Sequence, residues 1–345
     1  MKKVAVIGHF AFGLNYLDGQ TIKTKTVTAE LDKKLGADQV MKIDTHGGAK
    51  ALPKITVQLI NAFKNCKNII IFPAHNGIKV FVPLCNALNK VFHRKLHYVV
   101  IGGWLNELLD EHKRIESALN TFTGIYVETN AMKTALCSRG FNNVEVMPNF
   151  KDIRILSENE LVYHTEIPYK LCTFSRVMKE KGIEDAIEAV KRVNAEQGKI
   201  VFTLDIYGQI DSEQVDRFEI LESRFPEYVN YNGIVPFDKS VDTIKEYYAL
   251  LFPTYYEGEG FAGTLLDAMA AGVPVIASDW KYNTEFVSEK TGCVYQAKDN
   301  EALIRILTNS INNPNLLNSK KKACLKEALK YKADNVIQIL ISALS

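Results

Sequence analysis

Short, continuously apolar runs alternate with longer stretches of helical period along the whole chain. In the first half the runs are KVAVIG (3–8), NIIIFPA (68–74), HYVVIGG (97–103), GIYVET (124–129) and VEVMPN (144–149), with helical stretches at 20–35, 53–65, 105–120 and 130–140 between them. In the second half YKLCTF (169–174), IVFTLDIYG (200–208), ALLFPT (249–254), VPVIAS (273–278) and GCVYQ (292–296) alternate with helical stretches at 182–197, 239–248, 264–271 and 301–312. A run that is apolar throughout, rather than at every second position, is a strand covered on both faces, so the pattern predicts parallel sheets flanked by helices. Residues 150–168 carry no long periodic run and divide the pattern in two. The expected fold is α/β: two doubly wound, Rossmann-like domains facing a cleft, one over 1–160 and one over 161–330, followed by a last segment 331–345.

Composition narrows the class without naming a function. The 345 residues are 47% hydrophobic and 24% charged, the balance of a globular protein. Six cysteines are scattered with no C-x-x-C, which reads as reduced core thiols and a cytoplasmic setting. The N-terminal apolar run is too short for a signal peptide and reads as a first strand, and no run approaches the 18 or so apolar residues that cross a bilayer. Charge is uneven: residues 1–150 hold 19 Lys/Arg against 11 Asp/Glu, a net +8, and the remainder is −6. Either the first half meets something anionic, an acceptor or the inner face of a membrane, or the lysines are solvated scatter.

The second half carries the candidate chemistry. After the strand ending near Phe174, Arg176 and Lys181 fall in a loop before a helix expected to start at Gly182 or Ile183. Ligands of open α/β sheets bind at such carboxyl strand ends, and two cations there suit a diphosphate. After ALLFPT, a loop at 255–263 with Glu259 leads to an Ala-rich helix for which Thr264 is the expected N-cap. The N–H groups of Ala262, Gly263 and Thr264 would then offer a phosphate site, and Asp267 would sit in the helix's first turn, where a carboxylate also simply suits the dipole. Glu257 reads as a solvated loop residue. Two carboxylates around a phosphate cradle outline a nucleotide-sugar site.

At this point the sequence resembles a known family. EGFAGTLLDAMAAGVPVIAS (259–278) is similar to the E-x7-E signature of the retaining family-4 glycosyltransferases of GT-B fold (glycosyl transferases group 1), of the kind that build bacterial surface polysaccharides. SRVMKEKG resembles the family's G-R-x-x-x-x-K-G, LDIYG (204–208) its strand and glycine, YNGIV (231–235) its F-x-G-x-V element, and 126–149 the stretch near the end of its first domain. The resemblance implies a metal-independent hexosyl transfer from a nucleotide-diphosphate sugar, a UDP-sugar favoured, to a glycan or lipid-linked acceptor, with no other cofactor. It assigns Arg176 and Lys181 to the diphosphate, Glu259 to the transferred sugar and Asp267 to the ribose. Phe261, Ala262, Gly263 and Thr264 would line the sugar–phosphate pocket, and Gly208 and Val235 the nucleotide. Asp267 stands where Glu is usual, and Ala262 where Gly is common. The family's second domain binds the donor and the first the acceptor, and the last segment would cross back onto the first.

The first half departs further. Only Gly19 is carried over from the family's Gly-Gly loop, which the resemblance places at the donor phosphates, and Gly102 and Gly103 stand where many members place a histidine. His9 and His75 lie at strand ends but match no motif and read as structural. Lys23 and Lys25 read as the wet face of a helix rather than an anion site. The six lysines of 319–332 read likewise, as a solvated helix face rather than a lipid contact. Two other functions stay open: a catalytically silent nucleotide-sugar-binding partner subunit, and a nucleotide-sugar 2-epimerase on the same fold. No nucleic-acid partner and no metal are expected.

Overall fold

The computed structural model describes residues 1–14 and 18–345. They form two compact units, 1–152 with 331–345 and 153–330. The first holds strands β1 (Lys2–Gly8), β2 (Val40–Asp44), β3 (Cys66–Ile71), β4 (Lys95–Val99), β5 (Gly124–Val127) and β6 (Val144–Val146). They make one parallel sheet in the order β2-β1-β3-β4-β5-β6. The second unit holds β7 (Tyr169–Phe174), β8 (Phe202–Tyr207), β9 (Val229–Tyr231), β10 (Ala249–Phe252), β11 (Val275–Ser278) and β12 (Gly292–Tyr295). These too are all parallel, in the order β12-β11-β10-β7-β8-β9. Counted from β7, that is the doubly wound order 3-2-1-4-5-6, which reverses direction between β7 and β10.

The apolar runs became all eight central strands and the edge strands β6 and β12, and β10 and β11 are buried at every position. What the pattern missed lies mostly at sheet edges. β2 (VMKID) is an outer strand with only Val40 and Ile43 buried, and β9 has three residues. The helix His75–Phe92, which contains Gly77 and Pro83, was not among the expected helices. Its Ile78, Phe81, Val82 and Cys85 nevertheless fall on one buried face, and Pro83 is exposed. The helix expected at 53–65 starts at Gly48, five residues before Pro53, and the one expected at 105–120 breaks at His112 into Leu105–Glu111 and Lys113–Leu119.

The chain returns to the first unit at its end. The helix Ala333–Ala343 puts Val336, Ile337 and Leu340 into the apolar core formed by Val4, Val27, Leu31 and Ile70. A buried polar chain anchors it. Asn68 Nδ2 donates to the carbonyls of Lys3 (3.0 Å) and Leu344 (3.1 Å), which leaves Oδ1 to accept from His97 Nε2 at 3.1 Å. His97 Nδ1 then accepts from the Tyr126 hydroxyl, also at 3.1 Å. The ring is fully buried, and burial, with Lys95 nearby, holds its pKa down at about 4.

Between about pH 6.5 and 4 the unfolded chain therefore binds a proton at His97 that the folded chain refuses, and stability falls as pH falls through that window. We expect a loss on the order of 3 kcal/mol from this residue. Urea unfolding measured from pH 7 to 4.5 should show that slope, and His97→Gln should flatten it.

Candidate functional site

Where the strand order of the second unit reverses, the loops leaving β7 and β10 come together. The carboxyl ends of such strands are where open α/β sheets take ligands. The loop after β7 (175–182) closes with a 3-10 turn, Lys179–Lys181, and then Gly182 at φ 72°. A Cβ on Gly182 would stand 2.3 Å from the carbonyl oxygen of Pro253, so the glycine lets this loop lie directly on the end of β10. The Glu180 carbonyl accepts from Tyr255 N at 2.8 Å, which ties the two loops together. Gly208 does the same after β8. At φ 138° its backbone lies where a Cβ would be 1.7 Å from the Ser175 carbonyl, and its N–H donates to Gly233 O.

This packing brings two of the expected residues into contact. Lys181 Nζ lies 2.6 Å from Glu259 Oε2, with side chains 12% and 7% exposed. Thr254, fully buried, donates its hydroxyl to the same carboxylate oxygen at 2.8 Å. The ammonium also lies over the ring of Tyr256, 4.8 Å from its centroid. The loop is held from behind by the segment after β11: Ser278 Oγ donates to Thr254 O at 2.5 Å, and Trp280 Nε1 to Tyr256 O at 2.8 Å. The pair is thus a nearly dry, fixed dipole whose cation has one carboxylate partner and an aromatic wall.

Other expected residues stand differently. Arg176 is exposed, and its Nη1 lies 3.3 Å from Asp211 Oδ2 in the loop after β8, away from Glu259. The helix expected to begin at Thr264 runs Gly263–Ala270, with Ala262 in the cap position and no side-chain cap. Thr264 therefore does not cap the helix, and its buried hydroxyl has no partner among the described residues. Because the cap falls at Ala262, two residues before Thr264, Asp267 lies in the helix's second turn and not its first, so the helix-dipole reading fails for it. Its carboxylate is 2% exposed and accepts from Ser240 Oγ at 3.1 Å. The N–H groups of Ala262, Gly263 and Thr264 make no bond among the described residues, the arrangement that can receive an anion at a helix start. The Phe261 ring stacks on Phe286, 3.7 Å between centroids, so only its backbone can face a ligand. Val235 lies partly exposed beyond β9, and Tyr231 OH ties that segment to Gly208 O at 2.8 Å.

In the first unit Gly19 opens the helix Gly19–Leu35 and is exposed, with Asp18 capping Thr21 N at 3.0 Å. The loop before it is organised by Asp44, whose carboxylate accepts from the N–H groups of Phe10, Ala11, Phe12 and His46. Burial alone would raise its pKa, but those four donors hold it low. His9 bonds Thr21 Oγ1 (2.7 Å) and His46 (3.1 Å), and His75 packs edge-on against Trp104, just past Gly102 and Gly103. Lys25 is solvated, but Lys23 corrects the wet-face reading: it is buried in an ion pair with Glu128 and donates to Val100 O at 3.0 Å. The lysine cluster near the end needs the same correction. Lys321 is 1% exposed and donates to Tyr247 O, and burial pulls its pKa down to about 8.

Two parallel-sheet units, each with its own doubly wound sheet, define the GT-B glycosyltransferase fold, and the chain carries that fold. Residues 168–313, within the second unit, match the family model of the glycosyl transferases group 1. Over 187 residues the chain is 29% identical to the GtfA subunit of a UDP-N-acetylglucosamine–peptide N-acetylglucosaminyltransferase from Streptococcus gordonii. That match covers 52% of this chain and 35% of the relative, and the chain spans about a third or less of the curated GtfA relatives it matches. Among solved structures, Anabaena HepE in complex with UDP superposes with a TM-score of 0.78 at 14% identity, covering 100% of this chain and 99% of that one. Pneumococcal GtfA in complex with UDP and GlcNAc gives 0.65 at 18% identity, covering 84% and 59%.

The residues that sequence reasoning missed are the ones that hold the others. Thr254 had a local signal, a hydroxyl at the carboxyl end of a buried strand. Ser240 had none, being 27 positions from Asp267. We expect Thr254→Val to lower stability by about 1–2 kcal/mol, because it strips a charged-acceptor hydrogen bond from a buried carboxylate, whereas Thr254→Ser should keep most of it. Denaturant unfolding of the two variants side by side checks this.

Proposed function

We propose that the chain is a retaining glycosyltransferase that moves a sugar from a UDP-sugar to a hydroxyl of a glycan or lipid-linked acceptor, without a metal, on the cytoplasmic side. The observation that carries this is the Lys181–Glu259 pair at the strand-order reversal, beside three unbonded N–H groups at a helix start. A diphosphate laid on those N–H groups meets Lys181 as its fixed cation, and Arg176 swings from Asp211 to close over it. The two cations stabilise the charge that grows on the leaving phosphate, the task a metal performs elsewhere. Glu259, released from full neutralisation as Lys181 turns to phosphate, accepts from hydroxyls of the transferred sugar. Asp267 takes the ribose hydroxyls, and Gly208 and Val235 border the base.

Uridine is favoured by what the similar proteins are: HepE was solved with UDP, and pneumococcal GtfA with UDP and GlcNAc. Retention rests on the family likeness, and no side chain of the site is placed as a nucleophile. The bond from the anomeric carbon to the phosphate oxygen breaks, and the bond to the acceptor oxygen forms on the same face. The acceptor proton passes to the departing phosphate. The second unit takes the donor in this reading, and the first takes the acceptor. No helix among the described residues is long and apolar enough to cross a membrane.

A thermal-shift panel of UDP, GDP and ADP with their sugar derivatives tests the donor class. A ligand at a hundred times its Kd stabilises the fold by about 2.7 kcal/mol, several degrees in Tm for a chain of this size. We expect a rise with UDP and a UDP-sugar that Lys181→Ala removes. A shift of the same size in Lys181→Ala would move the donor away from this site.

A further inference from the structure

The turn that carries Lys181 has no cap of its own. The 3-10 turn Lys179–Lys181 follows Met178, which holds the N-cap position and has no side-chain oxygen to offer the first N–H. Lys181 N donates to Met178 O at 3.1 Å and Gly182 N to Lys179 O at 2.8 Å, which leaves the Lys179 N–H to be met from outside the turn. Gln214, 35 positions on, meets it: its Oε1 accepts from Lys179 N at 2.8 Å. Its Nε2 donates to Glu180 Oε2 at 2.9 Å, and this bond is the main cause that holds the Glu180 carboxyl below its usual range.

Gln214 is placed for this task and not for its own helix. It stands in the N-cap position of the helix Val215–Glu222, where Asn, Asp, Ser or Thr is favoured, and makes no side-chain cap there. Its amide reaches across to the neighbouring loop instead. A continuation of the β7–β8 pairing brings that loop alongside: Val177 N donates to Gln209 O at 2.8 Å and Asp211 N to Val177 O at 3.0 Å. The loop after β10 supplies the other hold, through Tyr255 N to the Glu180 carbonyl. Glu180 is thus fixed by its carbonyl from one loop and by its carboxylate from another, and Lys181 is the next residue. The lysine's long flexible stem magnifies any pivot of the turn into a displacement of the ammonium that lies 2.6 Å from Glu259 Oε2.

We propose that Gln214 is a positioning residue for the donor diphosphate: it fixes the turn from which Lys181 presents its charge and acts through that lysine, not on the ligand. The inference rests on the assignment of Lys181 to the diphosphate and adds a residue to it. A second tie between the same segments makes a comparator. Arg217 Nη2 donates to Glu184 Oε1 at 2.6 Å and to Oε2 at 2.8 Å, joining the helices Val215–Glu222 and Ile183–Gln197 by bonds that do not involve the turn.

A double-mutant cycle on UDP affinity tests the proposal, read by NMR titration so that millimolar Kd values stay measurable. Gln214→Met and Gln214→Ala both remove the two bonds, and each should weaken UDP by about fivefold, the equivalent of one net hydrogen bond. In a Lys181→Ala background the same changes should alter Kd by less than about twofold, because the charge they position is gone. Arg217→Ala should leave UDP within about twofold of wild type, although it removes the bidentate tie. Thermal melts report the folding of each variant. A loss of equal size in both backgrounds, no loss in the wild-type background, or an equal loss in Arg217→Ala would overturn the proposal. If Lys181→Ala binds UDP as wild type does, the donor assignment itself falls. If Lys181→Ala binds weakly while the Gln214 variants bind normally, only the positioning role falls.

Discussion

One ion pair sets the conditions for everything else in the second unit. Lys181 and Glu259 are nearly removed from water, and a buried pair of this kind persists only if its geometry is fixed and its remaining valences are met. Three constraints supply that. The parallel strand order brings the ends of β7 and β10 side by side. Gly182 allows the first loop to rest on Pro253, and the hydroxyl of Thr254 completes the carboxylate. The segment after β11 then holds the loop by two carbonyls, through Ser278 and Trp280. A charged pair held this way is a preorganised electrostatic device, which is what the proposed donor site requires.

The sequence disclosed the layout of this arrangement better than its detail. Continuous apolar runs marked ten of the twelve strands, because a strand covered on both faces has no polar alternation to hide it. β2 and β9 escaped because one is open at its middle residues and the other is three residues long. The helix His75–Phe92 also escaped, although its buried residues fall on one face; it contains Gly77 and Pro83, and Pro83 projects to solvent, where its ring costs little packing.

At the site, residue types in a loop were legible and partners distant in sequence were not. Glu259 and Lys181 could be singled out from the loops they occupy, 78 positions apart, but their contact is a product of the sheet order. The start of the helix at Gly263 was misjudged because threonine is a good cap and alanine is a poor one. The tertiary fit of the loop decided instead, and Thr264 and Asp267 each moved along the helix by that choice. Lys23 and Lys321 show the limit of charge as a guide to exposure. Both were taken for wet lysines; one is buried against Glu128 and the other against a carbonyl, partners that lie 105 and 74 positions away.

The central claim is a division of labour within the pair, phosphate to Lys181 and sugar to Glu259. Calorimetric titration of Glu259→Gln with UDP and with a UDP-sugar tests it most directly. The account predicts that UDP binds the variant within a fewfold of wild type, since the lysine is still present, while the extra affinity contributed by the sugar disappears. Loss of UDP itself, or an undiminished preference for the UDP-sugar, would contradict it.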